Sequence, residues 1–142
     1  MESKKDKIVY TAGVWDCFHI GHLNLLKEAS KLGSKLIVGV SNDELVLDYK
    51  NKTPLIPFKE RLEIIKSIRY VDSAIEQKSR DKLKALEIVH FNIWAIGNDW
   101  MGNQYYMDTS ERFGQLGIET VWLPYTKGIS STHIKKLLTG RR

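Results

Sequence analysis

Two imidazoles, His19 and His22, stand either side of Gly21 at a point where an apolar run, Ile8-Val9-Tyr10, gives way to an amphipathic segment. The order strand, loop, helix places both rings at a helix N-terminus. Backbone N–H groups and the positive end of the helix dipole favour an anion there. Imidazole adds donors that can follow charge developing on a phosphate. The simplest reading is a site for a nucleoside triphosphate, built from Thr11, Ala12, Gly13, Val14, Asp16, His19, Gly21 and His22. Gly13 permits a tight turn and close approach of a phosphate. Asp16 either holds the loop by accepting backbone N–H bonds or binds Mg²⁺ through water. The plainer alternative is two polar side chains at a helix start. A metal pair is another, but no cysteine or carboxylate is grouped with the histidines in a way that suits zinc.

Other residues suit the same chemistry. Lys50 and Lys52 lie in a polar stretch, and a lysine on a mobile loop can close over phosphates as a point charge. Arg61 and Arg69 fall near one face of a helix if it persists across both, where two guanidiniums could grip the phosphate of a second substrate or the triphosphate. A surface ion pair with Glu60, Glu63 or Asp72 is the bland alternative for either. After a later apolar run come Gly97, Asp99 and Trp100, which offer acceptors and a stacking face. Gly128, Ile129, Ser130, Ser131 and Thr132 read as a glycine loop opening a helix, whose N–H groups and hydroxyls could hold β- and γ-phosphates. An ordinary N-cap would look the same.

The elements that must position these residues alternate. Strands are expected at 8–12, 35–40, 74–75, 93–96 and 119–123, and helices at 23–32, 58–68, around 83–89, 109–116 and 131–138. Residues 48–54 read as the mobile loop. Such alternation means right-handed βαβ units and a parallel sheet in a three-layer α/β arrangement. Ligands in these folds bind outside the carboxyl ends of strands. The histidine segment, the Gly97 loop and the Gly128 loop each follow an expected strand, so they should converge on one edge.

With 142 residues, 42% hydrophobic and 27% charged, the chain suits a single globular domain over 1–142. The net charge of +5 suggests an anionic partner. The positive charges are scattered, with no basic stripe carrying interleaved aromatics, so small phosphorylated molecules are expected rather than nucleic acid. No apolar stretch approaches the ~20 residues that span a bilayer, so no membrane partner is expected. No signal-peptide pattern precedes residue 8, and a single cysteine, Cys17, leaves no internal disulfide, which fits a cytoplasmic location.

Gly13, Asp16, His19, Gly21 and His22 together resemble the Gly-x-Phe-Asp-x-x-His-x-Gly-His signature of the cytidylyltransferases, with Trp15 at the Phe position. Arg61 with Ile68-Arg69-Tyr70-Val71-Asp72, the loop Gly97-Asn98-Asp99-Trp100, and the segment Gly128-Ile129-Ser130-Ser131-Thr132 resemble later motifs of that family, in family order. The resemblance implies a Rossmann-like fold with a five-stranded parallel sheet. It implies CTP as donor, carried with Mg²⁺, and a phosphorylated alcohol as acceptor, with glycerol 3-phosphate giving CDP-glycerol. His19, His22, Lys52 and Arg69 would be catalytic, Lys50, Arg61 and Arg69 would meet the acceptor, and Asp99 and Trp100 would hold the nucleoside. It also implies a homodimer, with apolar residues after Pro57 or around Tyr105-Tyr106-Met107 as contact surface. Ribitol, choline or ethanolamine phosphate are other acceptors, and an adenylyltransferase using ATP is the enzymatic rival. One departure stands out: Tyr125 occupies a position where the family carries an arginine, which keeps a catalytically silent nucleotide-binding module as the rival of another class.

Overall fold

A pleated strand sends successive side chains to opposite faces, and the three central strands here carry apolar residues on both. A computed structural model describes residues 6–124 and 130–138. In chain order the elements are β1 (Ile8–Gly13), α1 (Ile20–Ser30), β2 (Lys35–Ser41), α2 (Asp43–Lys50), α3 (Phe58–Lys66), β3 (Ser73–Gln77), α4 (Lys82–Ile88), β4 (Ile93–Gly97), a 3₁₀ turn at Asn98–Trp100, α5 (Gln104–Gln115), β5 (Glu119–Leu123) and α6 (Ser131–Leu138). The strands form one parallel sheet in the order β3-β2-β1-β4-β5. This is the Rossmann-like α/β architecture expected from the alternation.

Each face has its own core. Val9, Leu36, Val38, Val40, Ile93 and Ala95 pack with Leu26 and Ala29 of α1 and Ile65 of α3. Tyr10, Ile37, Trp94 and Ile96 pack with Ala85 of α4 and with Tyr106 and Phe113 of α5. Strand order reverses between β1 and β4, because β1 continues to β2 on one side while β4 returns on the other. A crevice opens at that switch point, beyond the carboxyl ends of the strands.

Several boundaries depart from the sequence expectation. Residues 48–50, read as loop, close α2. Asn42 caps that helix by accepting from Leu45 N, Asp43 and Glu44 fill its first turn, and Lys50 ends it. Its apolar stripe is short, with Leu45 and Val46 buried, so periodicity alone does not reveal it. Helix α5 begins at Gln104 rather than 109, because Asn103 caps it by accepting from Tyr106 N.

Gly39 of β2 sits beneath the Tyr10 phenol, which donates to Gln77 Oε1 at 3.0 Å in the interior. A Cβ at Gly39 would land on the Tyr10 hydroxyl. Gly39→Ala is therefore expected to cost about 1–3 kcal/mol through forced repacking, read as a lower urea midpoint at unchanged m-value.

Candidate active site

The histidines cap α1 with each other. His19 is the N-cap, and its Nδ1 accepts from Gly21 N at 3.0 Å. His22 Nδ1 accepts from His19 N at 3.2 Å. Two imidazoles thus replace the hydroxyl and carboxylate of the usual reciprocal cap. Because each Nδ1 is an acceptor, each ring carries its proton on Nε2 and offers a donor there. The rings stack at 3.8 Å between centroids, a geometry that disfavours two positive charges. Burial pushes His22 down to about 3, with the His19 charge adding to the effect, and burial also lowers His19. The pair is neutral at physiological pH.

The loop before them is held in an unusual conformation. Trp15 and Cys17 adopt left-handed φ values of 58° and 51°. Such positions cost non-glycine residues energy and persist where surroundings over-determine them. Trp15 is buried, donates from Nε1 to Gly39 O at 3.0 Å, and meets the His22 ring edge-on at 5.4 Å. Gly13 makes room for that indole, since a Cβ there would lie 3.1 Å from it.

Asp16 secures the loop from the other side. Its carboxylate is buried and accepts from Leu55 N at 2.8 Å and Ile56 N at 2.9 Å. It also pairs with Lys135 Nζ at 2.7 Å. Burial opposes the charge, but the bonds from Lys135, Leu55 and Ile56 outweigh it and hold the carboxyl below the usual range. Of the two roles open to it, Asp16 thus takes that of loop anchor, and a carboxylate so engaged does not suit direct coordination of Mg²⁺. Among the described residues no group of three or more histidine, cysteine or acidic side chains is placed to hold a metal.

Two connected cavities open at the switch point. One, of about 380 Å³, is lined by Val14, Asp16, His22, Tyr49, Lys50, Lys52, Thr132 and Lys135, among others. The second, of about 300 Å³, is lined by Thr11, Ala12, His19, Gly21, His22, Lys82, Gly97 and Asp99, among others. His22, Trp100, Tyr106 and Ser131 border both. The first cavity is strongly cationic. Burial lowers the Lys50 pKa, and the neighbouring Lys135 and Lys52 charges lower it further. Helix N-termini face the same space. Neither α1 nor α6 has an acidic residue in its first turn, so both dipoles are free to meet an anion. Ser131 donates to Asp16 O at 2.5 Å, and Ser130 Oγ accepts from His133 N as the α6 cap.

The structure therefore gathers the histidine loop, Lys50, Lys52, the Gly97 loop and residues 130–132 around one space. Gly128 and Ile129, and the departure at Tyr125, lie outside the described residues. One expectation is corrected. Arg61 is not an acceptor contact: it is fully buried, with Nε donating to Ile56 O at 2.8 Å and Nη1 to Val14 O at 2.7 Å and Ser41 O at 2.8 Å. Its Nη2 pairs with Asp43 at 2.6 Å. The guanidinium is fully occupied in tying the loops that form the cavity floor. Arg69 is not brought to the histidines within this chain. It precedes β3 and so lies at the amino-terminal edge of the sheet, where it reaches Tyr70 Oη at 3.1 Å, next to Lys27 and Lys31 at the far end of α1. The spacing suggested a shared face with Arg61, but α3 ends at Lys66 and the chain turns before Arg69.

Sequence reading missed Lys82 and Lys135. Lys135 lies one turn into α6, where it looks like a solvated helix cation. Lys82 opens α4 in a polar stretch that carries no motif, although a lysine next to an N-cap aspartate, Asp81, is poorly placed for the helix dipole and could have been flagged.

Residues 10–137 match the family model described as Cytidylyltransferase-like. The chain belongs to the cytidylyltransferase-like family. It is 36% identical to glycerol-3-phosphate cytidylyltransferase of Bacillus subtilis (strain 168), over 94% of this chain and 98% of that one. It is 34% identical to FAD synthase of Thermococcus kodakarensis, over 88% of this chain and 85% of that one. The crystal structure of the lipopolysaccharide core biosynthesis protein from Thermoplasma volcanium GSS1 superposes with a TM-score of 0.71 at 29% identity, over 87% of this chain and 98% of that one. Membership of the cytidylyltransferase-like family makes this chain a nucleotidyltransferase and a nucleotide-binding protein. No helix among the described residues is long and apolar enough to cross a membrane.

Two outcomes test this architecture. The unfolded chain takes up protons on its histidines near pH 6.5, whereas folded His22 resists until about 3. Unfolding then binds more protons across that window, so stability is complete above about pH 6.5 and is lost as pH falls. The slope of Tm between pH 6.5 and 4 is expected to flatten in His22→Asn, which keeps an acceptor for His19 N. Arg61→Met leaves three carbonyls without their donor, and is expected to lose about 2–4 kcal/mol in guanidinium unfolding.

Proposed function

We propose that the protein transfers CMP from CTP to glycerol 3-phosphate, releasing pyrophosphate and forming CDP-glycerol. The observation that carries the reading is the pair of neutral Nε2–H donors set where two helix N-termini and a ring of lysines meet. An acceptor phosphate oxygen attacks the α-phosphorus in line, and the bond from that phosphorus to the α–β bridging oxygen breaks. A P–O–P linkage forms as the bridging oxygen leaves with its electron pair on pyrophosphate. No covalent enzyme intermediate is required.

His19 and His22 donate to the α-phosphate oxygens as charge builds on them. Each ring is fixed by a backbone bond, so the donors need no reorganisation during the step. The β- and γ-phosphates lie against the N-terminus of α6 with Ser130, Ser131 and Thr132. Lys50 and Lys52 come from the end of α2 and the residues after it to neutralise the phosphates. Asp99 and Trp100 hold the nucleoside beside Thr11, Ala12 and Gly97. Mg²⁺, carried on the triphosphate as part of the substrate, would screen its charge. The likeness to the Bacillus enzyme supports CTP and glycerol 3-phosphate. The likeness to the Thermococcus FAD synthase supports ATP with FMN as the second reading.

Pyrophosphate release decides between them. With CTP and glycerol 3-phosphate in Mg²⁺ buffer the chain is expected to turn over, and His19→Ala to lose about 10²–10³ in kcat with CTP affinity retained. Release with ATP and FMN alone would overturn the cytidylyl reading. Silence with every pair, while CTP still binds, would point to a silent module.

A further inference from the structure

The two ends of α2 are held differently. Leu45 and Val46, near its start, are buried, whereas Leu47, Asp48 and Lys50 of its last turn are exposed. Tyr49 is the side chain of that turn that reaches inward. Its hydroxyl shares a hydrogen bond with the buried Ser41 side chain. Its ring is covered by a cation from another part of the chain. The guanidinium carbon of Arg80, in the stretch before α4, lies 5.0 Å over the Tyr49 ring and 4.4 Å over the Tyr105 ring of α5. Arg80 Nε is buried without a hydrogen-bond partner among the described residues, so the ring faces, not a bond at that nitrogen, hold this part of the side chain. The Arg80 backbone is fixed as well, its carbonyl accepting from Lys82 Nζ at 3.1 Å.

The last turn of α2 needs such a hold. Lys50 ends the helix, Asn51 turns the chain in a left-handed conformation with φ of 59°, and Lys52 follows. Both lysines line the first cavity, together with Lys135. The three like charges repel. Burial lowers the Lys50 pKa, and the Lys135 and Lys52 charges lower it further. Until a polyanion fills the cavity, that repulsion favours moving the lysines apart and out into water. A cation seated on an aromatic face in a partly desolvated place opposes the movement. Arg80 itself lines neither cavity, so its influence on a bound ligand must pass through Tyr49, which lines the first.

We propose that Arg80 is a positioning residue for the triphosphate: by bridging Tyr49 of α2 and Tyr105 of α5 it holds the last turn of α2 on the cavity wall and keeps Lys50 and Lys52 preset for the phosphates. This rests on the reading of the two lysines as phosphate contacts, and adds the residue that places them. Presetting of this kind strengthens binding by removing an ordering cost that the ligand would otherwise meet. It requires no particular acceptor or base.

Calorimetric titration of the full chain with α,β-methylene CTP and Mg²⁺ reads triphosphate binding without turnover, the ATP analogue taking its place if the CTP analogue does not bind. Arg80→Leu is expected to raise the Kd about fivefold, and Arg80→Lys, which keeps a cation over the rings, to stay within about twofold of wild type. In a chain already carrying Lys50→Met and Lys52→Met, adding Arg80→Leu is expected to change the Kd by less than about twofold, because the lysines that Arg80 places are gone. A full additive loss in that background would overturn the proposal. So would wild-type affinity in Arg80→Leu, or equal damage from Arg80→Lys. If Arg80→Leu does not fold, Tyr105→Leu removes one side of the bridge; it is expected to cost about threefold, and that loss too should vanish without the lysines. Wild-type affinity in the lysine double variant would refute the lysines as phosphate contacts, and binding of neither analogue would refute the nucleotide site; either result removes the proposal by removing its premise.

Discussion

Asp16 is the point on which the catalytic edge is assembled. Its carboxylate joins the loop after β1 to Leu55 and Ile56 and to Lys135 of α6, while its carbonyl receives the Ser131 hydroxyl. Segments far apart in sequence are thereby pinned to one buried charge. Arg61 answers it from beneath, binding Val14 O, Ser41 O and Ile56 O. One charge gathers donors and the other gathers acceptors, and the loop between them carries Trp15 and Cys17 in left-handed conformations that would relax if either charge were lost. The histidines inherit their positions from this frame.

Electrostatic roles around the cavities are divided by type. The groups nearest the proposed reacting phosphorus are neutral, directional donors, and the permanent charges stand further out on lysines. This arrangement follows from desolvation. A buried imidazolium would be unfavourable, but a neutral ring whose Nδ1 is used by the backbone keeps a fixed Nε2–H at no such cost. Lys50, Lys52 and Lys135 at the wall of the first cavity keep partial hydration and supply long-range attraction for a polyanion.

Much of this was legible in the sequence. The apolar runs of β1, β2 and β4 and the imidazole-glycine-imidazole segment located the switch point, because strand-loop-helix order dictates which edge the loops share. Arg61 was misread because a single sequence shows a charged residue near a motif, not its neighbours. Its spacing from Ile65, one helical turn, does place it on the core face, and that was the available signal. Arg69 stands apart from the histidines of its own chain for a topological reason: α3 carries the chain from the carboxyl edge back to the amino edge of the sheet. Helix α2 carried cap chemistry but too short an apolar stripe. The contact of Arg80 with Tyr49 and Tyr105 joins α2, the stretch before α4 and α5, and no local pattern announces such a meeting.

Helix α6 buries none of its residues fully, and Leu137 and Leu138 are exposed. Ser131 and Lys135 both tie it to Asp16, in polar bonds rather than by a buried apolar face. A helix secured this way has a small free energy of docking, separate from that of the sheet. Because α6 also forms part of the anion-binding wall, any polyanion bridging it to α1 binds the docked form alone. By mass action, ligand and docking must then strengthen one another. The C-terminal helix would open and close on its own timescale, and substrate concentration would set how much of the time it is shut.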